Sequence, residues 1–246
     1  MLYDGEYKCI NTGRKVRDLS KLEKSLRRFW DPVEASGLHD LLYTGFSTMT
    51  HAMVCAMCER WHTETNNFHL PVGGMTITLD DVYNILHLPT QGRMLDHDAV
   101  VDRDRGIDLM TRLLGMSDVA ARVEAKTEYG AHISYPTLKW LYEAHLTEAR
   151  RLEDPQSREE MLERDRRRNW CVRSFLLYLV GSAMFTNKTN KHINLIYLEC
   201  MADLQSIGKW SWGGMTLAYP YDYLDDYVLL NNRTMVGCTT LLMVIF

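Results

Sequence analysis

The stretch from His69 to Leu88 constrains the fold of this chain most strongly, because it combines strand, turn and helix signals in consecutive residues. Gly73-Gly74 can adopt the positive φ angles that a two-residue hairpin turn requires. The short apolar segment Phe68–Leu70 precedes the two glycines, and Met75–Thr78 follows them with alternating apolar and β-branched polar residues. The pattern predicts a β-hairpin that turns at the two glycines.

A short helix is predicted directly after the hairpin. Thr78 occupies the N-cap position, and Asp80 and Asp81 fall in the first turn, where negative charge complements the helix dipole. Leu88-Pro89 is expected to end the helix, because the residue before a proline is disfavoured in the α region. Capping therefore accounts for the two aspartates better than a role as paired catalytic acids.

A much longer helix is predicted from Arg158 to Phe185. Its first half is highly charged and its second half is almost wholly apolar, so the second half should enter the core. The residues that we expect to be buried are Phe175, Leu176, Leu179, Val180, Ala183 and Met184. Arg164 to Arg168 are expected to be solvated. The small residues from Gly181 to Ala183 would let a neighbouring helix approach closely, with Trp210 or Trp212 nearby.

The whole chain is predicted to be mainly α, a single globular multi-helix domain with one small β-hairpin near its N-terminal third. No linker rich in proline, glycine or serine divides the 246 residues. Residues 1–36 are expected to form an N-terminal arm and a short helix. The arm would run from Met1 to Ser20, and the helix would run from about Ser20 until Pro32 stops it. Residues 37–246 should form the helical domain.

The composition is that of an ordinary globular protein, with 46% hydrophobic and 24% charged residues. A net charge of −4 gives no global attraction to nucleic acid or to an anionic membrane. No apolar run approaches the roughly 20 residues of a membrane-spanning helix. The six cysteines have no regular spacing and no signal peptide is recognised, so we expect an intracellular protein with reduced thiols.

One group of residues has the composition of a zinc site, namely His51, Cys55, Cys58 and His62. These residues would share one face of a single helix, but at 1.5 Å rise per residue they would spread over roughly 16 Å. Zinc requires its ligands at about 2.0–2.3 Å in a tetrahedron. Packing of buried cysteines is therefore the preferred interpretation, and no metal is predicted.

Other kinds of catalytic or cofactor site lack the patterns that their chemistry needs. The nine histidines are scattered and no Gly-x-Ser-x-Gly elbow is present. His69, beside Pro71, is interpreted as a hydrogen-bonded structural residue. Gly73-Gly74 and Gly213-Gly214 lack the lysine and the spacing of a phosphate-binding loop. The helical order also lacks the alternating βα units typical of pyridoxal enzymes. We assign no catalytic, cofactor-binding or metal-binding residue.

The basic run Arg164, Arg166, Arg167 and Arg168 is the one plausible contact for nucleic acid. It is interleaved with the acidic residues Glu159, Glu160, Glu163 and Asp165. Opposite charges three or four residues apart on a helix usually pair on a solvated face. Pairing is the preferred interpretation, and contact with phosphate or with a protein partner stays open.

Six motifs occur along the chain in a fixed order. They are Trp61, the segment His69–Pro89, Gly92-Arg93, Phe175–Phe185, Trp210-Ser211-Trp212-Gly213 and Gly237-Cys238. In order and spacing they resemble the plant mobile domain, sometimes labelled aminotransferase-like, which occurs in MAINTENANCE OF MERISTEMS proteins and in plant transposons. The resemblance covers roughly Gly37 to Phe246. His87 stands where the family usually has glycine. The terminal helix stops before the family's aromatic continuation, so we expect a C-terminally truncated domain.

The resemblance implies a non-enzymatic, transposon-derived interaction domain without a cofactor. Cellular relatives in the family act in the nucleus, in the silencing of transposable elements, gene expression and meristem maintenance. They work with a protein phosphatase of the serine/threonine class, so the resemblance implies a nuclear location and a protein partner of that class. Two alternatives stay open from the sequence: a nucleic-acid-binding accessory protein of a mobile element, and a hydrolase with an unrecognised site.

Overall fold

The computed structural model describes residues 8–9, 13–22, 29–44, 51–127, 130–229 and 234–245. These residues are mainly α-helical, as predicted, and their buried apolar side chains form one continuous hydrophobic core. None of the helices in the described part of the chain combines the length and the apolar character needed to cross a membrane.

The described residues contain ten α-helices and three 3₁₀ helices. The α-helices are α1 (Gly13–Ser20), α2 (Trp30–Ala35), α3 (His51–Cys58), α4 (Leu79–Leu86), α5 (Arg103–Leu114), α6 (Asp118–Thr127), α7 (Tyr135–Arg151), α8 (Arg158–Ala183), α9 (Trp212–Leu229) and α10 (Thr239–Ile245). The 3₁₀ helices span His39–Tyr43, Leu195–Met201 and Ile207–Lys209.

The strands are short and form three small sheets. They are β1 (Lys8–Cys9), β2 (Trp61–His62), β3 (Asn67–Leu70), β4 (Gly73–Met75), β5 (His132–Ser134), β6 (His192–Asn194) and β7 (Thr234–Met235). β2, β3 and β4 form an antiparallel meander in which Phe68 lies opposite both Trp61 and Met75. β5 pairs with β6 in antiparallel register, and β1 pairs with β7 in parallel register.

Helix α8 is the central element of the core. Ser157 caps its N-terminus, and its charged first half gives way to a buried second half that packs along α7. Phe175, Leu176, Leu179, Val180 and Met184 are fully buried, as predicted, whereas Ala183 is half-buried. For Gly181 the close neighbour is a strand instead of the predicted helix, because a Cβ atom at Gly181 would overlap the Ile193 side chain of β6.

The N-terminal part of the described chain includes a packed helix where an arm was expected. The expectation of an arm is wrong for Gly13–Ser20, because these residues form α1, which packs on α8 with Val16 and Leu19 buried. Residues 23–28 of the predicted short helix lie outside the described residues. Pro32 does not stop a helix, because it lies in the first turn of α2, where a missing N–H group leaves no hydrogen bond unmade.

The hairpin forms where it was predicted, but its turn was placed wrongly. Pro71-Val72 form the turn between β3 and β4, and the two glycines belong to β4. Gly73 has a φ angle of 122°, so its left-handed backbone is used at the start of the strand. The turn therefore lies two residues earlier than the sequence-based expectation, and Phe68 pairs with Met75.

Helix α4 begins as predicted and ends differently. The Thr78 hydroxyl accepts from the backbone N–H of Asp81, and the Asp81 carboxylate accepts from that of Thr78, which completes a capping box. The helix ends at Leu86 because His87 adopts the left-handed conformation with a φ angle of 55°. This left-handed conformation favours glycine, and here a histidine adopts it.

Candidate functional site

An open groove of about 380 Å³ lies where α4, residues 90–94 and the first half of α9 meet. Its lining residues are Leu79, Thr90, Gln91, Gly92, Met94, Ser211, Gly214, Leu217, Ala218 and Tyr221. The segments that form it include three of the motifs on which the family resemblance depends. The sequence did not predict that these segments meet, because more than a hundred residues separate α4 from α9.

Gly92 permits the close contact between the 90–94 segment and the chain before α9. Its φ angle is 128°, and a Cβ atom there would overlap the carbonyl oxygen of Lys209. On either side of this contact, Arg93 N–H donates to the Lys209 oxygen and Ser211 N–H donates to the Arg93 oxygen, both at 2.9 Å. The Arg93 guanidinium lies 4.4 Å from the centroid of a Trp210 ring, a cation–π contact. The Gly-Arg motif thus connects residues 92–93 to residues 209–211 through main-chain contacts, and we call this contact the joint.

The start of α9 is fixed to the segment after α4 by two further hydrogen bonds. The Ser211 hydroxyl donates to the Thr90 carbonyl oxygen at 2.8 Å, and Gly213 N–H donates to the Pro89 oxygen at 2.8 Å. Trp212 is fully buried and its Nε1–H donates to the Ile207 carbonyl oxygen at 3.1 Å. The Trp-Ser-Trp-Gly motif therefore joins α9 to both the groove and the core.

The hairpin side of the groove is tied to the middle of α9. The Tyr221 hydroxyl donates to the Ile77 carbonyl oxygen at 2.5 Å and lies 2.6 Å from the Thr76 hydroxyl. Burial raises the pKa of Tyr221, and these hydrogen bonds oppose that shift. Trp61 Nε1–H donates to the Asp225 carboxylate at 2.7 Å. The groove walls are consequently held by long-range polar contacts on both sides.

The rim of the groove exposes large apolar side chains. Leu79 is 42% exposed and Met94 is 55% exposed, and Tyr83, one helical turn after Leu79, is 56% exposed. Acidic residues adjoin the lining positions in sequence, with Asp80 after Leu79 and Asp222 after Tyr221. Contiguous exposed apolar residues rimmed by polar ones are typical of binding surfaces. The described residues of the lining carry hydroxyl, amide, thioether and hydrocarbon groups, which suit contact more than proton transfer.

The described side chains of the group with the composition of a zinc site, Cys55, Cys58 and His62, lie in two different environments. Cys58 is buried in the hydrophobic core and Cys55 is half-buried, with a pKa raised first by burial and then by Glu59. His62 lies in β2, where its ring stacks on the ring of His69 at a centroid distance of 3.8 Å. The side chain of His51 lies outside the described residues. Packing and ring stacking therefore account for the described members of the group.

The other candidate residues have local structural contacts. His69 takes part in ring stacking, and its backbone N–H donates to the Arg60 oxygen at 2.8 Å, so its predicted hydrogen bond is a backbone one. Asp81 belongs to the capping box and Asp80 is exposed in the same turn. Gly214 lines the groove, where a Cβ atom would lie 2.6 Å from the Ser211 hydroxyl.

The basic run of α8 is paired, as predicted, but only part of it is solvated. Arg167 and Arg166 both contact the Glu163 carboxylate, at 2.6 Å and 3.1 Å, and Arg168 contacts Glu153 at 3.3 Å. The side chains of Arg164 and Arg168 are only 17% exposed, so the expectation that they are solvated was wrong. They line a cleft beside α2, which the sequence could not place next to α8.

The chain was compared with known families and proteins. The family model described as plant mobile domain matches residues 37–244. The chain is similar to Protein MAIN-LIKE 1 of Arabidopsis thaliana, with 31% identity over 211 residues, which cover 85% of this chain and 38% of that protein. It is also similar to Protein MAINTENANCE OF MERISTEMS of the same organism, with 30% identity over 210 residues, 85% of this chain and 40% of that protein.

A third relative is named as an enzyme. The Serine/threonine-protein phosphatase 7 long form homolog of Arabidopsis thaliana is 31% identical over 186 residues, covering 75% of this chain but 12% of that protein. The chain thus spans less than half the length of each of these three relatives. No solved structure matches the chain.

Proposed function

Because the chain belongs to the plant mobile domain family, a transposon-related domain, we propose that it acts without catalysis, as a protein-interaction domain in the nucleus. The observation that carries this proposal is the exposed apolar groove between α4 and α9, which is lined by the exposed side chains of Leu79 and Met94. The same residue types bury well in protein interfaces, where aromatic side chains and methionine are enriched.

The proposed occupant of the groove is an apolar segment of a partner protein that also carries basic residues. The apolar rim supplies contact area, and exposed Asp80, which follows Leu79 in α4, places negative charge beside it. Charge complementarity at the edge of an interface favours one partner over another and speeds association. A segment with lysine or arginine next to large apolar residues matches both features.

We propose a phosphatase of the serine/threonine class as the partner and the silencing of transposable elements, gene expression and meristem maintenance as the setting. The names of the relatives support this choice, since one relative is called a serine/threonine-protein phosphatase 7 long form homolog and another is called MAINTENANCE OF MERISTEMS. The nuclear location is proposed from the family resemblance alone. A fluorescent fusion of the full chain in plant cells tests the location directly.

Direct binding to the purified Arabidopsis phosphatase 7 long form homolog tests the partner and the surface together. We expect the double variant Leu79→Ser and Met94→Ser to weaken the Kd by roughly tenfold or more, since residues that anchor an interface cost above about 1.4 kcal/mol. Val119→Ser is the matched control, because Val119 is exposed on α6 and does not line the groove. Equal Kd values for the double variant and wild type would rule out the groove as the binding surface.

A further inference from the structure

A basic cavity opens where α1, the start of α7 and the turn before β6 meet, and its volume is about 500 Å³. Three lysines line it, namely Lys15, Lys139 and Lys191, and none of the described lining residues is acidic. The whole chain carries a net charge of −4, so its composition does not account for this local positive charge. Cavities of this size bind small organic molecules, and the lysines select an anionic one.

The half-buried Lys15 is the deepest of the three cations. Its Nζ atom lies 3.9 Å from the centroid of the Tyr135 ring and donates to the carbonyl oxygen of Asn190 and, at 2.5 Å, to its Oδ1 atom. These partners are neutral, and a charge withdrawn from water is costly unless an opposite charge balances it. Burial accordingly lowers the pKa of Lys15 to about 8. An anion in the cavity would supply the missing charge.

The two other lysines are exposed at the cavity. Lys139 lies 3.9 Å from the Glu143 carboxylate, whereas Lys191 forms no ion pair within the part of the chain that the structure describes. Ser134, which caps the N-terminus of α7, also lines the cavity, so the partial positive charge of that helix end adds to the lysines. Lysine binds phosphate as a point charge, and several such charges suit a doubly charged phosphate monoester.

The walls of the cavity provide aromatic surface. The rings of Tyr135 and Tyr178 lie 4.9 Å apart between centroids, and half-buried Tyr178 is the more accessible of the two. Nucleobases stack on aromatic side chains of this kind. Asn190 and His192 add hydrogen-bonding groups to the lining, which the polar edge of a base can use and a phenyl ring cannot.

We propose that this cavity binds a nucleoside monophosphate, whose phosphate contacts Lys15, Lys139 and Lys191 and whose base packs against Tyr178. A phosphotyrosine side chain shares the phosphate and the ring, but it lacks the polar edge and would fill less of the cavity. The cavity and the groove between α4 and α9 have no lining residue in common, so this site does not depend on the proposed function.

The experiment titrates AMP, GMP, CMP and UMP into the full chain by calorimetry, with inorganic phosphate and phenyl phosphate as comparison ligands. We expect one site for at least one nucleotide, with a Kd at least about tenfold lower than that of either comparison ligand, because the base adds stacking. Lys15→Gln and Lys191→Gln should each raise that Kd about tenfold, since each removes a charge-assisted contact. Lys209→Gln is the matched control, because Lys209 is exposed and does not line the cavity.

The pH dependence of binding tests the role of Lys15 separately. Between pH 7 and pH 9 the phosphate keeps its second charge, whereas Lys15, with a pKa of about 8, loses its proton. The Kd of wild type should therefore rise by roughly tenfold over this range, and that of Lys15→Gln should rise less. The other titratable groups that face the cavity are the same in both proteins, namely Lys139, Lys191, His192, Tyr135 and Tyr178.

Three results would overturn the proposal. They are no binding of any of the four nucleotides, equal Kd values for wild type and Lys191→Gln, and phenyl phosphate binding as tightly as the best nucleotide. The last result would instead identify a site for an aromatic phosphate such as phosphotyrosine. Lys191 is exposed, so its variant is expected to fold as wild type does. An equal rise of Kd with pH in wild type and Lys15→Gln would remove Lys15 from the site.

Discussion

The buried half of α8 and the joint around the groove hold the same molecule together by different means. In α8, Phe175, Leu176 and Leu179 are fully buried among apolar side chains. At the joint, Gly92 and Gly213 bring backbone against backbone, and hydrogen bonds between main-chain atoms connect the segments. The core depends on the size of its side chains, whereas the joint depends on their absence.

This difference explains why the two regions present different surfaces. The core buries its large side chains completely, because nothing in its geometry requires solvent contact. At the joint the main-chain groups hydrogen-bond to one another. The nearby large side chains of Leu79 and Met94 are exposed at the rim of the groove. A rigid backbone joint with exposed apolar side chains is well suited to hold a partner.

The largest expected effect separates two leucines. Leu179→Ala should lower the free energy of unfolding by about 2–5 kcal/mol, because it leaves a cavity in a fully packed core. Leu79→Ala, the same substitution at the groove rim, should cost under about 0.5 kcal/mol, as exposed substitutions do. Urea melts of both variants measure the contrast. Equal costs would mean that the core and the rim do not differ as described.

The next effect compares two glycines with similar backbone angles. Gly92→Ala should cost well over about 1 kcal/mol, because its φ angle is 128° and the added Cβ would overlap the Lys209 carbonyl oxygen. Gly73→Ala shares the strained φ angle of 122° but meets no atom within 4 Å, so it should cost less. Thermal melts rank the two. A larger loss at Gly73 would contradict the assignment of Gly92 as the joint.

A smaller effect is expected at the start of α4. Thr78→Ala removes the hydroxyl that accepts from the Asp81 N–H, and should cost about 1 kcal/mol. Thr65→Ala, in the exposed turn between β2 and β3, serves as the control and should be close to neutral. Denaturant melts decide the comparison, and identical midpoints for the two variants would show that the capping box contributes little.

The smallest effect lies in the charged half of α8. Arg166→Ala should cost under about 0.5 kcal/mol, because its side chain is 59% exposed and surface ion pairs contribute little. Arg168→Ala should cost more, since that side chain is mostly buried and contacts Glu153. The same melts test this order. If Arg166→Ala were the more damaging change, the placement of Arg168 against the body of the protein would be wrong.

Local signals predicted the elements that local physics forms. The capping residue Thr78 and the change from charged to apolar residues in α8 were both readable, and each has the expected role. The hairpin turn was misplaced because two glycines outweighed Pro71-Val72 as a turn signal. Glycine permits a positive φ angle, but Gly73 uses that freedom within β4.

Contacts between distant segments were beyond the sequence. The Nε2 atom of His97, in a loop, lies 2.8 Å from a carboxylate oxygen of Asp222 in α9, although no sequence pattern links the two residues. Arg164 and Arg168 appeared solvated because their helix is charged, but α2 lies beside them. In both cases the missing information was which surfaces face each other. A single sequence without tertiary contacts does not contain it.

The parallel pairing of β1 with β7 has a consequence for the order in which the chain folds. Lys8 lies opposite Thr234, so this small sheet joins the two ends of the described chain. Closing so long a loop carries a large entropic cost, and contacts between distant residues form late in folding. We therefore expect α7 and α8 to assemble first from local contacts, and the β1–β7 sheet to form in the final, slowest step.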